Sequence, residues 1–390
     1  MAAVFDLYST EIDADPFPYY RRLRDEYPCY WSDANGLWIL SRFDDVANAA
    51  QDWQVYSSAA GNLIDELPGR AGGTLGTTDP PRHDRLRTLT QAAFQRRSAE
   101  QVMDYALATV ERALDRVLER DHFDFIADFS SQVTVGTLFR LLGLPERDCE
   151  EIRRKVILSI STDKALKGRN AAQIAAFGEL ADFINAEVAA RRKAPQDDLI
   201  TRLAEAEFDG DRLSEREIVL TTATFIMAGV ESLSSFVSMF ALNLHDHPDA
   251  RRRIRADWSL LRPAIEESLR FNTSAQRFKR VLTRDVTLYG QTMRKGDKVV
   301  LAYGSANRDD RKFRNPDVYD AERRPQGHLG FGAGTHFCLG SQMARLVTER
   351  AMQRFLERVP EFHLTVERLD WIPSSNFRSP VRLPFAAEKV

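Results

Sequence analysis

A run of roughly thirty residues after Ser214 limits what this chain can become, because it is apolar on nearly every side. Ser214-Glu215-Arg216-Glu217 has the spacing of a capping box, in which serine and glutamate side chains satisfy each other's backbone N–H groups. The helix it starts runs to about His245, ahead of Pro248. At about 1.5 Å per residue it spans roughly 45 Å, enough to cross a whole protein body. Such a helix has no face to offer to water, so the other elements have to pack around it. Its middle breaks the pattern. Ala228-Gly229-Val230-Glu231-Ser232 puts two small residues, an acid and an alcohol where apolar bulk is expected.

A second unusual stretch is Phe331-Gly332-Ala333-Gly334-Thr335-His336-Phe337-Cys338-Leu339-Gly340. Its glycines let the backbone take unusual φ/ψ and come close to a flat partner. The following Met343-Ala344-Arg345-Leu346-Val347 looks helical, so Cys338 sits just ahead of a helix N-terminus, where peptide N–H groups and the dipole favour a thiolate. A thiolate on an iron porphyrin pushes electron density to the metal and favours O–O cleavage. Taken alone, the stretch also fits a glycine-rich loop around a buried structural cysteine. Phe-Gly-x-Gly-x-His-x-Cys-x-Gly is the haem-binding signature of the cytochrome P450 family, and the chain resembles that family here without a gap.

The resemblance implies a mainly α fold with a minor β lobe, one P450 domain over residues 1–390, and haem b (iron protoporphyrin IX) with Cys338 as the iron ligand. Phe331, Gly332, His336 and Gly340 belong to the same cofactor loop, and His336 is expected to donate to a haem propionate. Other stretches match in family order. Asp79-Pro80-Pro81-Arg82-His83 reads as a helix start, with Asp79 as N-cap and Pro80 in the first position. His83 and Arg87 lie four apart and point from one face; they fit a surface ion pair, or the family's clamp on the haem propionates. Arg280 stands where relatives place a further propionate-binding arginine.

The stretch from Ala228 to Ser232 is similar to the family's Ala-Gly-x-acid-alcohol motif, with Glu231 where Asp is more usual and Ser232 where Thr is more usual. Ala228 and Gly229 would let haem and O₂ approach the backbone. A hydroxyl next to an acid can relay protons or hold the water that does. The competing reading is a helix-bend serine bonded back to a carbonyl. Glu267 and Arg270, with Arg323, resemble the family's buried structural network ahead of the cysteine loop.

The rest of the chain reads as scaffold. Asp15-Pro16-Phe17 to Glu26 predicts a short helix, and the runs around Asn35-Gly36 predict a hairpin. Residues 281–300 suggest further strands, and the Gly-rich stretch 57–77 matches the family's cover over the substrate pocket. Arg277 either reaches an anionic substrate group or points outward.

Three cysteines, Cys29, Cys149 and Cys338, cannot close a disulfide framework and suit a reducing, cytoplasmic setting. The acidic start (Asp6, Glu11, Asp13, Asp15) is neither a signal peptide nor a membrane span. A net charge of -3 argues against nucleic-acid binding. The resemblance implies a monooxygenase that puts one O₂-derived oxygen atom into a small or medium organic substrate, by hydroxylation or oxidative dealkylation. No fused flavin or iron–sulfur module is in view, so electrons are expected from a ferredoxin and its ferredoxin reductase. Arg85, Arg96, Arg97, Arg251, Arg252, Arg253 and Arg345 are candidates for a basic docking face. The rival functions are a peroxide-using or non-oxidative haem-thiolate enzyme, and a haem sensor or binding protein without turnover.

Overall fold

The capping box at Ser214 forms as its spacing demands. Ser214 Oγ accepts from the Glu217 N–H at 3.3 Å, and Glu217 Oε2 accepts from the Ser214 N–H at 2.9 Å. In the computed structural model, which describes residues 5–93 and 96–387, the central helix runs Glu215–Asp246. It is the one described helix long and apolar enough to cross a membrane, and 67% of its most apolar stretch is buried inside the protein. It is therefore the core helix. Its two α-helical parts, Glu215–Met227 and Leu233–Asp246, are joined by a wider π-type turn, Ala228–Ser232. A π turn inserts an extra residue per turn and is frequent at functional sites.

Two apolar clusters enclose this helix. Ile218, Ile226 and Val230 pack with Phe139 and with Leu180, Ile184 and Val188 of helix Ala171–Lys193. Phe236, Phe240 and Leu244 pack with Phe125, Phe129 and Phe355, the last from helix Ser341–Arg358. Each such side chain contributes about 1.5–3 kcal/mol by leaving water.

The β lobe is a five-stranded sheet. Strands β1 (Cys29–Ser32) and β2 (Leu37–Leu40) form the hairpin, with Gly36 in the left-handed region at φ 60°. With β3 (Tyr56–Ser57), β4 (Phe278–Leu282) and β5 (Lys298–Leu301), the order across the sheet is β1-β2-β5-β4-β3. Only β2 and β5 run parallel; Val300 faces Ile39, and Val299 faces Arg280 of the antiparallel β4. The opening helix is Phe17–Glu26. The Gly-rich stretch 57–77 packs down instead of hanging loose: Leu63 and Leu67 join the core, and Arg70 holds Asn62 and Glu66.

One local expectation fails. Asp79 does not cap a helix with its side chain, and helix Arg82–Ala93 starts after both prolines. Pro80 and Pro81 lack N–H groups, which leaves a capping carboxylate only that of Arg82. Asp79 instead accepts from Ser57 Oγ and from the Ser58 N–H, while its carbonyl takes the His83 N–H.

Glu267 and Arg270, both fully buried, form a two-pronged pair at 2.8 and 2.7 Å, and Arg323 Nε adds a third bond to Glu267 at 3.0 Å. Arg270 also donates to the Asn307 and Pro316 carbonyls, and Arg323 to that of Arg314. Every polar arm is used, which ties helix Leu261–Phe271 to the loop before the cysteine. Glu267→Ala leaves two cations without their shared carboxylate, so urea denaturation is expected to show a loss of about 3–5 kcal/mol. A loss below about 1 kcal/mol would contradict the role given to this network.

Candidate active site

Ala228 is exposed although it lies in the middle of the most enclosed helix, and Gly229 beside it is half-buried. A Cβ on Gly229 would come within 2.8 Å of Leu138 Cδ2, so only glycine fits without moving that side chain. The wide turn brings Ala228, Ser232 and Phe236 to one side of the helix. Phe236 meets Phe331 of the cysteine loop at 6.2 Å between ring centres, which sets that side of the helix over the loop.

The loop itself is held by a hydrogen bond from the Cys338 N–H to Phe331 O at 3.0 Å. Gly334 is at φ 65°, and a Cβ there would run into the Ala50 carbonyl oxygen at 2.7 Å. Gly340 is the N-cap of helix Ser341–Arg358, so Cys338 precedes a helix start as expected. The expected preference for thiolate does not follow in the protein by itself. Burial pushes the Cys338 thiol up, against the opposing pull of the Gly340 and Ser341 N–H groups and of Arg345 and Arg87. A metal on the sulfur reverses that balance, because thiolate ligation releases the proton.

His83, Arg87, Arg280 and His336 converge beside this loop. Arg87 donates to the carbonyls of Thr335 (3.3 Å) and Phe337 (3.1 Å). The His83 and His336 rings meet edge to face at 5.0 Å. Burial holds the His336 imidazole below its ordinary value; Arg280 and His83 add to this, and Asp79 opposes it. His83 Nε2 and both His336 nitrogens are buried without a hydrogen-bond partner among the described residues. Buried polar atoms are rarely left so, and a cluster of them next to two arginines is a cradle for carboxylates. The donor set, the cysteine and the exposed helix turn together fit a haem.

Glu231 is buried, and burial raises its carboxyl above the ordinary value; Ser235, Arg153 and Ser379 pull the other way. Ser232, the neighbouring alcohol, is only half-buried, and among the described residues no hydrogen bond joins it to Glu231. The acid's hydroxyl partner is Ser235, one turn further on, a residue the sequence motif did not single out.

Around the roof, Asp65 accepts hydroxyl bonds from Tyr8, Thr162 and Ser375, tying the Gly-rich stretch to the chain's two ends. Arg277 does not point outward. Its guanidinium is buried 5.9 Å from the Phe5 ring, with one long bond to Ser374 O.

Below the cysteine loop lies a cleft of about 710 Å³ lined by Arg262, Glu266, Arg324, His328, Phe337 and Arg345. Despite the upward pull of burial, hydrogen bonds from His328 and Arg345 hold Glu266 down to about 2. Arg262 and Arg324 are exposed at its rim, and neither was picked out from the sequence. Of the arginines that were, Arg251 is buried and bonded to Phe362 O and Glu361. Arg85 is committed to Asp211 and Glu217, Arg252 pairs with Asp249 and Arg253 with Glu322. The side chains of Arg96 and Arg97 lie outside the described residues. Of the candidates whose side chains are described, Arg345 alone lines the cleft.

The cytochrome P450 family model matches residues 13–379. The chain belongs to the cytochrome P450 family. It is 32% identical to the putative cytochrome P450 123 of Mycobacterium tuberculosis (strain ATCC 25618 / H37Rv) over 99% of this chain and 97% of that one. It is 33% identical to the steroid C26-monooxygenase of the same organism over 89% and 87% of the two chains. Among solved structures, P450BioI in complex with hexadec-9Z-enoic acid ligated acyl carrier protein superposes with a TM-score of 0.87 at 29% identity, covering 97% of this chain and 99% of that one. The protein is thus a P450 monooxygenase, of a family that works with haem bound through a thiolate, O₂, small substrates and redox partners.

The exposed turn at Ala228 yields a direct expectation. Ala228→Leu should fill the space over the cysteine loop, so that bound haem per protein falls roughly tenfold while the helical circular dichroism stays. Full haem content in that variant would show that Ala228 does not face the cofactor.

Proposed function

We propose that this P450, as one catalytic unit over residues 1–390, inserts one O₂-derived oxygen atom into a small or medium organic substrate by hydroxylation or oxidative dealkylation. Haem b, when bound, supplies the redox chemistry and the O₂ site. Cys338 gives it the sulfur ligand, with Phe331, Gly332 and Gly340 shaping the loop on that side. His83, Arg87, Arg280 and His336 hold the propionates, consistent with imidazole nitrogens that lack protein partners. Ala228 and Gly229 would give haem and O₂ access to the helix backbone, and the missing side chain of Gly229 also clears Leu138.

The observation that carries the oxidative reading is a buried carboxyl, Glu231, in the one helix turn that opens onto the cysteine loop. A carboxyl raised by burial keeps its proton at a higher pH than an ordinary glutamate and can release it inward. Ser232, half-buried on the Ala228 side of the turn and without a direct bond to Glu231 among the described residues, would take that proton through a water or hold that water for bound oxygen. Peroxide carries both protons with it, so an enzyme that used it would need no net supply through Glu231.

Electrons come from a ferredoxin and its reductase. The exposed Arg262 and Arg324 around the cleft beneath Cys338 support this, since they suit an acidic partner docked close to the sulfur. Three free cysteines suit work in a reducing cytoplasm.

Glu231→Gln tests the proposal. With ¹⁸O₂, electron donors and a substrate that shifts the ferric spin state, product formation should fall about 100-fold or more, with electrons diverted to peroxide. Unchanged coupling of electrons to ¹⁸O-labelled product would contradict a proton-delivery role.

A further inference from the structure

Glu231 has its hydroxyl partner along the helix instead of beside it in sequence. Ser235 Oγ stands 2.7 Å from Glu231 Oε1 and 2.8 Å from Ser379 Oγ, and both serines are buried. Ser379 Oγ in turn lies 3.3 Å from the Pro380 carbonyl oxygen. One residue beyond, Val381 is 47% exposed. The segment is fixed there by the Ile372 N–H on Ser379 O and by the pairing of Trp371 with Pro380.

We propose that Ser235 and Ser379 form a hydroxyl relay that resupplies Glu231 with protons from water at the Pro380–Val381 edge. The inference rests on the reading of Glu231 as the proton donor of the reaction, and it makes the two serines proton-relay and positioning residues. Each hydroxyl has one proton to give. With Glu231 ionised, Ser379 donates to Ser235 and Ser235 to the carboxylate. With Glu231 protonated the order reverses: the acid donates to Ser235, Ser235 to Ser379, and Ser379 to the Pro380 carbonyl.

Both orders satisfy every proton with the heavy atoms unmoved. Passing from one to the other breaks each O–H bond as the next forms. The entering proton goes from water at that edge to Ser379 Oγ, that of Ser379 to Ser235 and that of Ser235 to the carboxylate; the Pro380 carbonyl only accepts from the hydroxyl left on Ser379, hydroxide returns to solvent, and nothing is oxidised or reduced. Buried chains of this kind polarise one another and hold their geometry.

The neighbouring hydroxyls are not part of this line. Ser130, Ser131, Ser234 and Ser238 bond among themselves, and Arg153 Nε donates to Ser131 Oγ at 3.1 Å. Arg153, on helix Cys149–Ile160, is the charged group that acts on Glu231, and it does so through space. The relay is therefore the acid's one hydrogen-bonded connection among the described residues.

Infrared difference spectra of the haem-loaded protein across pH test this, with Glu231→Gln identifying the carboxyl band. Ser235→Ala removes a bond to the ionised acid, so the Glu231 C=O band should shift and its protonation midpoint rise by about one to two pH units. Ser235→Thr should restore both, and Ser238→Ala should move neither. Ser379→Ala keeps the direct bond but cuts the line, and should slow H/D exchange of the Glu231 proton about tenfold. An unmoved band and midpoint in Ser235→Ala, an equal shift in Ser238→Ala, or unchanged exchange in Ser379→Ala would overturn the relay. Should Ser235→Ala not fold, the Ser379→Ala exchange rate decides alone. Failure of the underlying reading looks different: Glu231→Gln would keep its coupling while the infrared shifts of Ser235→Ala still occur.

Discussion

A helix that is apolar all round has to be enclosed all round, and the structure depends on where that enclosure stops. Between Ser214 and Asp246 the chain surrounds its central helix with two apolar clusters, except on the Ala228 and Ser232 side of the wider turn, whose Val230 still packs inward. There the helix widens, the side chains shrink to Ala and Gly, and an acid replaces apolar bulk. The opening is not a packing defect. It faces the cysteine loop, where Phe236 meets Phe331, so that two otherwise unrelated stretches bound one slot.

Buried polar groups divide the molecule in the same way. Around Glu267 every donor and acceptor is matched, and that region is scaffold. Around His83 and His336 three imidazole nitrogens are buried without a hydrogen-bond partner among the described residues, which suits a binding surface. The physical rule is the same in both places: a desolvated polar atom needs a partner. The scaffold supplies its own partners, whereas the cradle leaves them to carboxylates that arrive with the haem.

Much of this was legible in the sequence where the signal is local. The capping box at Ser214, the hairpin around Asn35-Gly36 and the Glu267–Arg270 spacing each needed only a few residues to be read. The cysteine loop was legible as a motif, but the protonation of Cys338 was not, because burial outweighs the helix-end N–H groups that the spacing revealed. Asp79 misled because its carboxylate is taken by Ser57 and Ser58, 22 and 21 residues upstream, which the local pattern of the helix start does not reveal. Arg251 misled because a cluster of arginines looks exposed until one is found against Phe362. The partner of Glu231 was out of reach. Ser235 and Ser379 are 144 residues apart, and no local pattern joins a helix to a turn near the C-terminus.

All of these assignments converge on sulfur from Cys338 reaching iron. Reducing the purified holoprotein and adding carbon monoxide measures that bond directly, through the position of the Soret band. The account predicts the red-shifted band of thiolate ligation, and its loss in Cys338→Ala. An unshifted band in the native protein, or a shifted one that survives in Cys338→Ala, would contradict it.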